Sequence, residues 1–162
     1  MTAADPVAAA RVALALLDAR GETLATAESL TGGLIGGTLT AIPGSSSVYV
    51  GGVVSYATRV KADVLGVPQQ VIDDEGVVSR ACALAMAHGV RRVLGVDWGV
   101  ATTGVAGPDA QDGIPAGTVW VAVSGPDGDL AERLELTGGR ETVRRVTCLR
   151  ALELVAEFQP SA

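Results

Sequence analysis

The chain has 162 residues, of which 48% are hydrophobic, 19% charged and 3% aromatic, with a formal net charge of -6. This is the size and composition of one globular domain spanning residues 1–162 with a single substantial core, and it excludes a disordered chain. The acidic balance argues against general binding to a phosphate backbone, because the one markedly basic stretch (Arg140, Arg144, Arg145 and Arg150) is interrupted by Glu141 and leaves room only for a local anion site.

In chain order, Asp5-Pro6 predicts a helix start, with Asp as cap and Pro in the first turn. Val7, Leu14 and Leu17 share one face, and Gly21 stops the helix. Thr23 to Ala27 reads as a short buried strand that runs into Glu28-Ser29-Leu30-Thr31-Gly32-Gly33 and then a small-residue helix to about Thr40. A turn at Ile42-Pro43-Gly44-Ser45-Ser46 precedes an apolar strand over Val48 to Tyr56. Helices follow over Thr58 to Leu65, from Pro68, and from the cap Ser79, the last burying Leu84, Ala87, Val90 and Leu94. Trp98 to Thr103 is a strand ending in Gly104-Val105-Ala106-Gly107-Pro108, with a polar loop from Asp109 to Pro115. Val119 to Ser124 and Leu130 to Leu136 form a hairpin around Gly125 to Gly128, and a final helix runs from Arg140 to about Phe158. The tail from Gln159 to Ala162 reads as frayed. Alternating strands and helices followed by a hairpin predict an α/β fold: a three-layer α/β/α sandwich whose mixed, mostly parallel sheet is closed by the hairpin.

Four segments could carry chemistry. Ser29 stands at a strand-to-helix junction, where open α/β sheets bind ligands, and the glycines after it permit close backbone approach; Ser29 or Thr31 could equally be a helix cap. In Ser55-Tyr56-Ala57-Thr58-Arg59-Val60-Lys61, a lysine beside a serine can act as a base once its pKa is lowered, unless Lys61 is a solvated helix residue. Thr102 to Pro108 offers backbone contacts or an ordinary turn, and Gly138-Gly139-Arg140 a phosphate cradle or a flexible helix entry. The only histidine, His88, lies on a predicted helix, so a histidine-based triad is not expected. Cys82 and Cys148 fall inside helices as small buried apolar residues, and without a CxxC pair or a Cys/His cluster no metal is expected. With no secretory leader pattern and no apolar run of roughly 20 residues, the chain reads as cytoplasmic.

Together these segments resemble a known family. AESLTGG resembles the AES-x-TGG signature of the CinA C-terminal domain. PGSS followed by GGVVSY and a lysine five residues on, EGVVSRACALAMA, TGVAGPD followed by PAGTVWVAV, and GGRETVRR resemble its further motifs in order, from about Ala4 to Phe158. Leu30 stands where the family usually has Cys, and Ala57-Thr58-Arg59-Val60 replaces its usual Ser-Asn-Glu-Ala. The resemblance implies a stand-alone amidase domain that hydrolyses nicotinamide mononucleotide to nicotinic acid mononucleotide and ammonia without a cofactor. Carried over by residue, Ser29, Tyr56 and Lys61 match its proposed catalytic groups. Ser29 would attack the carboxamide, Lys61 would take the proton, and Tyr56 would relay a proton or orient the lysine. Glu28, Thr31, Gly32, Gly33, Ser45, Ser46, Thr103, Gly104, Ala106, Gly107, Pro108 and Arg140 are the expected substrate-binding residues. The expected partners are the small-molecule substrate and further copies of the chain, not nucleic acid or membrane. A binding domain without turnover and a competence-related accessory protein are the competing readings.

Overall fold

The computed structural model describes residues 4–158; the tail expected to fray lies outside them. Among the described residues, six helices and five strands occur in the order α1 (Pro6–Ala19), β1 (Leu24–Glu28), α2 (Leu34–Thr40), a 3-10 turn (Ser45–Ser47), β2 (Tyr49–Val54), α3 (Thr58–Asp63), α4 (Gln69–Glu75), α5 (Arg80–Leu94), β3 (Trp98–Gly104), β4 (Thr118–Gly125), β5 (Gly128–Glu135) and α6 (Arg140–Glu157). The predicted caps hold: the Asp5 carboxylate accepts from the Val7 amide, and the Ser79 hydroxyl accepts from the Cys82 amide.

The sheet order is β2-β1-β3-β4-β5. The pairs β1–β2 and β1–β3 are parallel, and β3–β4 and β4–β5 antiparallel. Thus β5 runs with the parallel strands and only β4 opposes them. The sheet is open, which corrects the expected closure. The hairpin adds β5 as a free edge, because closing the sheet needs β2 to reach β5 and three strands lie between them.

Strand alternation sorts side chains into two cores, giving the expected three layers. Leu24, Val100, Val121 and Val123 face α1, α2 and α6, packing on Leu14, Leu17, Ile35 and Leu152. Ala25, Ala27, Ala101 and Ala122 face α5, packing on Cys82, Ala83, Met86 and Val90. This corrects two helix faces. The stripe of α5 is centred on those residues, with Leu84 and Leu94 only partly buried at its margins. On α1, the buried stripe is Ala10, Ala13, Leu14 and Leu17, and Val7, in the uncovered first turn, is exposed. The alanine-rich face lets α5 sit close to the sheet: a Cβ on Gly99 would lie 2.4 Å from the Ala87 carbonyl oxygen. No described helix is long and apolar enough to cross a membrane.

Candidate active site

The same alternation decides which way the β1 terminus points. Glu28 follows Leu24 and Thr26 toward the α2 side, whereas Ser29 follows Ala25 and Ala27 toward the α5 side. Ser29 is not a helix cap; Gly33, with φ +102°, precedes α2. The five-residue turn between β1 and α2 is fixed at its start by the Ser29 amide, which donates to the Thr102 carbonyl at 3.1 Å. Further along, Arg144 from α6 donates through Nε to the Leu30 carbonyl and through Nη2 to the Thr31 carbonyl, each at 3.0 Å.

Lys61 on α3 is 2% exposed. Its Nζ lies 3.0 Å from Ser29 Oγ, 2.7 Å from the Ser55 carbonyl oxygen and 3.3 Å from the Tyr56 carbonyl oxygen. Removal from water holds its pKa below lysine's ordinary value, opposed in part by the Cys82 thiol. Among the described residues Lys61 forms no ion pair with a carboxylate, and Arg59, the substituted cation, is not one of its hydrogen-bond partners. It lies on the exposed side of α3. Nζ donates to all three oxygens; once deprotonated, the amine keeps an N–H group for each carbonyl and can turn its lone pair to the Ser29 hydroxyl.

These groups open into a cleft of about 320 Å³ outside the carboxyl ends of the parallel strands. Thr103, Gly104, Ala106, Gly107, Pro108 and Arg140 line it. Gly107 has φ +92°, and a Cβ there would lie 2.9 Å from the Ala116 Cβ, so the turn requires glycine. Among the described residues the amides of Leu30 and Ala106, both residues of the cleft wall, have no protein acceptor.

Other expected site residues lie elsewhere. The buried Glu28 carboxylate turns to the opposite face of the sheet and accepts the amides of Ile35 and Gly36. Thr31 is fully buried, its hydroxyl 2.9 Å from that of Thr102. Gly32 and Gly33 face Arg144 and Val54, outside the cleft. Ser45 and Ser46 sit in or beside the 3-10 turn that precedes β2, at the opposite end of the strands, because a parallel strand must be entered from the end remote from the site. The Tyr56 hydroxyl does not meet Lys61. It accepts from Arg140 Nη2 at 3.1 Å, while Arg140 Nη1 donates to the Gly107 carbonyl at 2.7 Å. Tyr56 orients the lysine only through its backbone oxygen. His88 is on the outer surface, with Nε2 2.7 Å from Asp129 Oδ2.

The sequence reading missed the Ser55 carbonyl as lysine acceptor, Arg144 as support of the serine turn, and Val77, Val78, Asp109 and Gln111 in the cleft wall. Asp109 and Gln111 follow directly on the glycine-proline motif and could have been found from it. Backbone acceptors and residues from remote segments leave no local signal. Both cysteines are buried as expected, and burial pushes each thiol up to about 11. Among the described residues no cluster of potential ligands could hold a metal ion.

The chain and its open mixed sheet match known proteins. The family model of the CinA C-terminal domain matches residues 7–159, and the chain belongs to that family. It is 50% identical over 144 residues to a CinA-like protein of Frankia casuarinae, covering 89% of this chain and 33% of the relative. It is 48% identical over 143 residues to a putative competence-damage inducible protein of Desulforamulus reducens, covering 88% and 34%. The chain thus spans about a third of the length of these curated relatives. Among solved structures, the competence damage-inducible protein A of Klebsiella pneumoniae superposes with a TM-score of 0.92 at 34% identity, covering 95% of this chain and 96% of that one. The competence/damage inducible protein CihA of Agrobacterium tumefaciens does so with 0.91 at 37% identity, covering 97% of each.

Proposed function

We propose that this domain is a cytoplasmic amidohydrolase acting on the carboxamide of nicotinamide mononucleotide. The observation that carries the reading is the buried, charge-uncompensated Lys61 amine 3.0 Å from Ser29 Oγ. A cation is costly in such a place, so the amine is held toward its neutral, basic form. Ser29 Oγ attacks the amide carbon as its proton passes to Lys61. The amides of Leu30 and Ala106 are the donors available to the developing oxyanion. When the C–N bond breaks, Lys61 returns the proton to the leaving nitrogen and ammonia departs. Water then attacks the acyl group, giving its proton to Lys61, which passes it to Ser29 Oγ as the acyl–oxygen bond breaks and nicotinic acid mononucleotide is released. In this scheme Tyr56 is not a proton relay, since its hydroxyl is engaged with Arg140.

Arg140 stands at the cleft mouth at the start of α6 and is the cation available to the substrate's 5′-phosphate. The turn after Ser29 is the weaker candidate, because Gly32 and Gly33 face away from the cleft. The test is ammonia release from nicotinamide mononucleotide, measured against free nicotinamide. Use of phosphate binding to position the amide predicts a much higher kcat/KM for the nucleotide. Tight binding of the nucleotide with no ammonia would instead identify a binding domain.

A further inference from the structure

Glu28 is a charged side chain with 2% exposure that no step above uses. Its two oxygens are both occupied: Oε1 accepts the Ile35 amide at 2.8 Å and Oε2 the Gly36 amide at 3.0 Å. The side chain therefore ties the last residue of β1 to the first turn of α2, closing the ends of the segment that carries Ser29 and Leu30. The backbone on either side is fixed as well, since the Glu28 carbonyl accepts the Ser55 amide at 2.9 Å and the Ser29 amide donates to Thr102. The sheet is thus gripped from both faces at adjacent residues: Glu28 on α2 at one face, Ser29 on Lys61 at the other.

We propose that Glu28 is a positioning residue, whose carboxylate closes the Ser29 turn and thereby sets both the Ser29–Lys61 contact and the direction of the Leu30 amide. This rests on the reading of Ser29 and Lys61 as nucleophile and base, and not on the identity of the amide substrate. A carboxylate is suited to the place because it accepts at both oxygens, whereas a glutamine must turn its NH2 against one of the two N–H groups. The substrate touches neither oxygen, so the loss falls on turnover.

Glu28→Gln is compared with wild type and with Leu17→Ala, a core variant in α1 that tests whether lost stability alone lowers activity. Two reactions are followed: ammonia release from nicotinamide mononucleotide, and acetylation by p-nitrophenyl acetate with the Ser29→Ala rate subtracted. The second reads serine nucleophilicity whatever the natural amide is. E28Q is expected to lower kcat about 10- to 100-fold with KM within about twofold, to lower the Ser29-dependent acetylation about tenfold or more, and to speed amide exchange at Ile35 and Gly36. L17A is expected to keep wild-type kcat despite a lower Tm. An E28Q enzyme with wild-type acetylation rate overturns the proposal, as does an L17A enzyme that loses kcat equally. Absence of ammonia from the wild type, with the acetylation difference intact, overturns the assigned substrate and leaves the role of Glu28 supported.

Discussion

A lysine amine serves as a base only while it lacks its proton, and at Lys61 burial works in that direction. Activity should rise with pH through an apparent pKa below lysine's ordinary value and then level off; a pH–kcat profile that tracks unperturbed lysine would remove Lys61 as base. The stability sign follows from the same shift. The unfolded chain binds a proton at Lys61 where the folded chain does not, so this residue's contribution rises with pH between the folded and ordinary values. In Lys61→Met that component of the pH dependence should vanish from denaturation curves. Lys61→Arg should be inactive, because a guanidinium stays protonated. Ser29→Ala should fold normally and lose roughly 10^3-fold or more in kcat if the serine is the nucleophile; near-normal turnover would shift the attack to a Lys61-activated water. Tyr56→Phe should keep most of its turnover, since only the exposed hydroxyl contact to Arg140 is lost. Arg140→Ala should raise KM for the mononucleotide with little change in Tm. A lower Tm with unchanged KM would make the arginine a brace between the Gly107 turn and Tyr56.

At the scale of elements, the site depends on how close α5 and α3 can lie. Gly89 on α5 faces the Leu65 carbonyl so closely that a Cβ would sit 2.0 Å from its oxygen. Leu65 closes the segment that begins with the Lys61 helix, and the Val67 amide donates to the Lys61 carbonyl at 3.0 Å. Gly89→Ala must therefore move backbone against backbone. It should cost about 1–3 kcal/mol, lowering Tm by roughly 2–4 °C per kcal/mol for a domain of this size. It should also lower kcat, because the displaced segment carries the base. Unchanged melting and turnover in G89A would show that the contact relaxes without cost.

For the molecule as a whole, relatives carry names that refer to competence and damage induction, which makes nucleic acid a partner to test. Much of the basic stretch is engaged internally: Arg144 holds Leu30 and Thr31, Arg150 pairs with Glu132, Glu153 and Glu157, Arg145 donates to the Ala4 carbonyl, and Arg140 is drawn into the cleft wall by Gly107 and Tyr56. With a net charge of -6 and those cations engaged, duplex DNA should not bind measurably even at low salt. A salt-sensitive titration with a steep slope would contradict this.

The sequence by itself determined the elements, their caps and the layer pattern, because hydrophobic period, Pro and Gly placement and Asp or Ser caps act within a few residues. It also singled out the segments that line the cleft. The motifs holding Ser29, Lys61, Thr103 to Pro108 and Arg140 meet in one cleft, since each lies at a carboxyl strand end or at the start of the element that follows. What only the tertiary structure decided is direction. Glu28 and Ser29 are neighbours in the chain and point to opposite faces of the sheet, so one holds α2 and the other meets Lys61. Ser45 and Ser46 enter β2 from the wrong end. Tyr56 turns its hydroxyl to Arg140 across 84 positions of sequence. Each outcome depends on strand parity, strand direction or a long-range partner, and none of these is encoded in the spacing of residues within a motif.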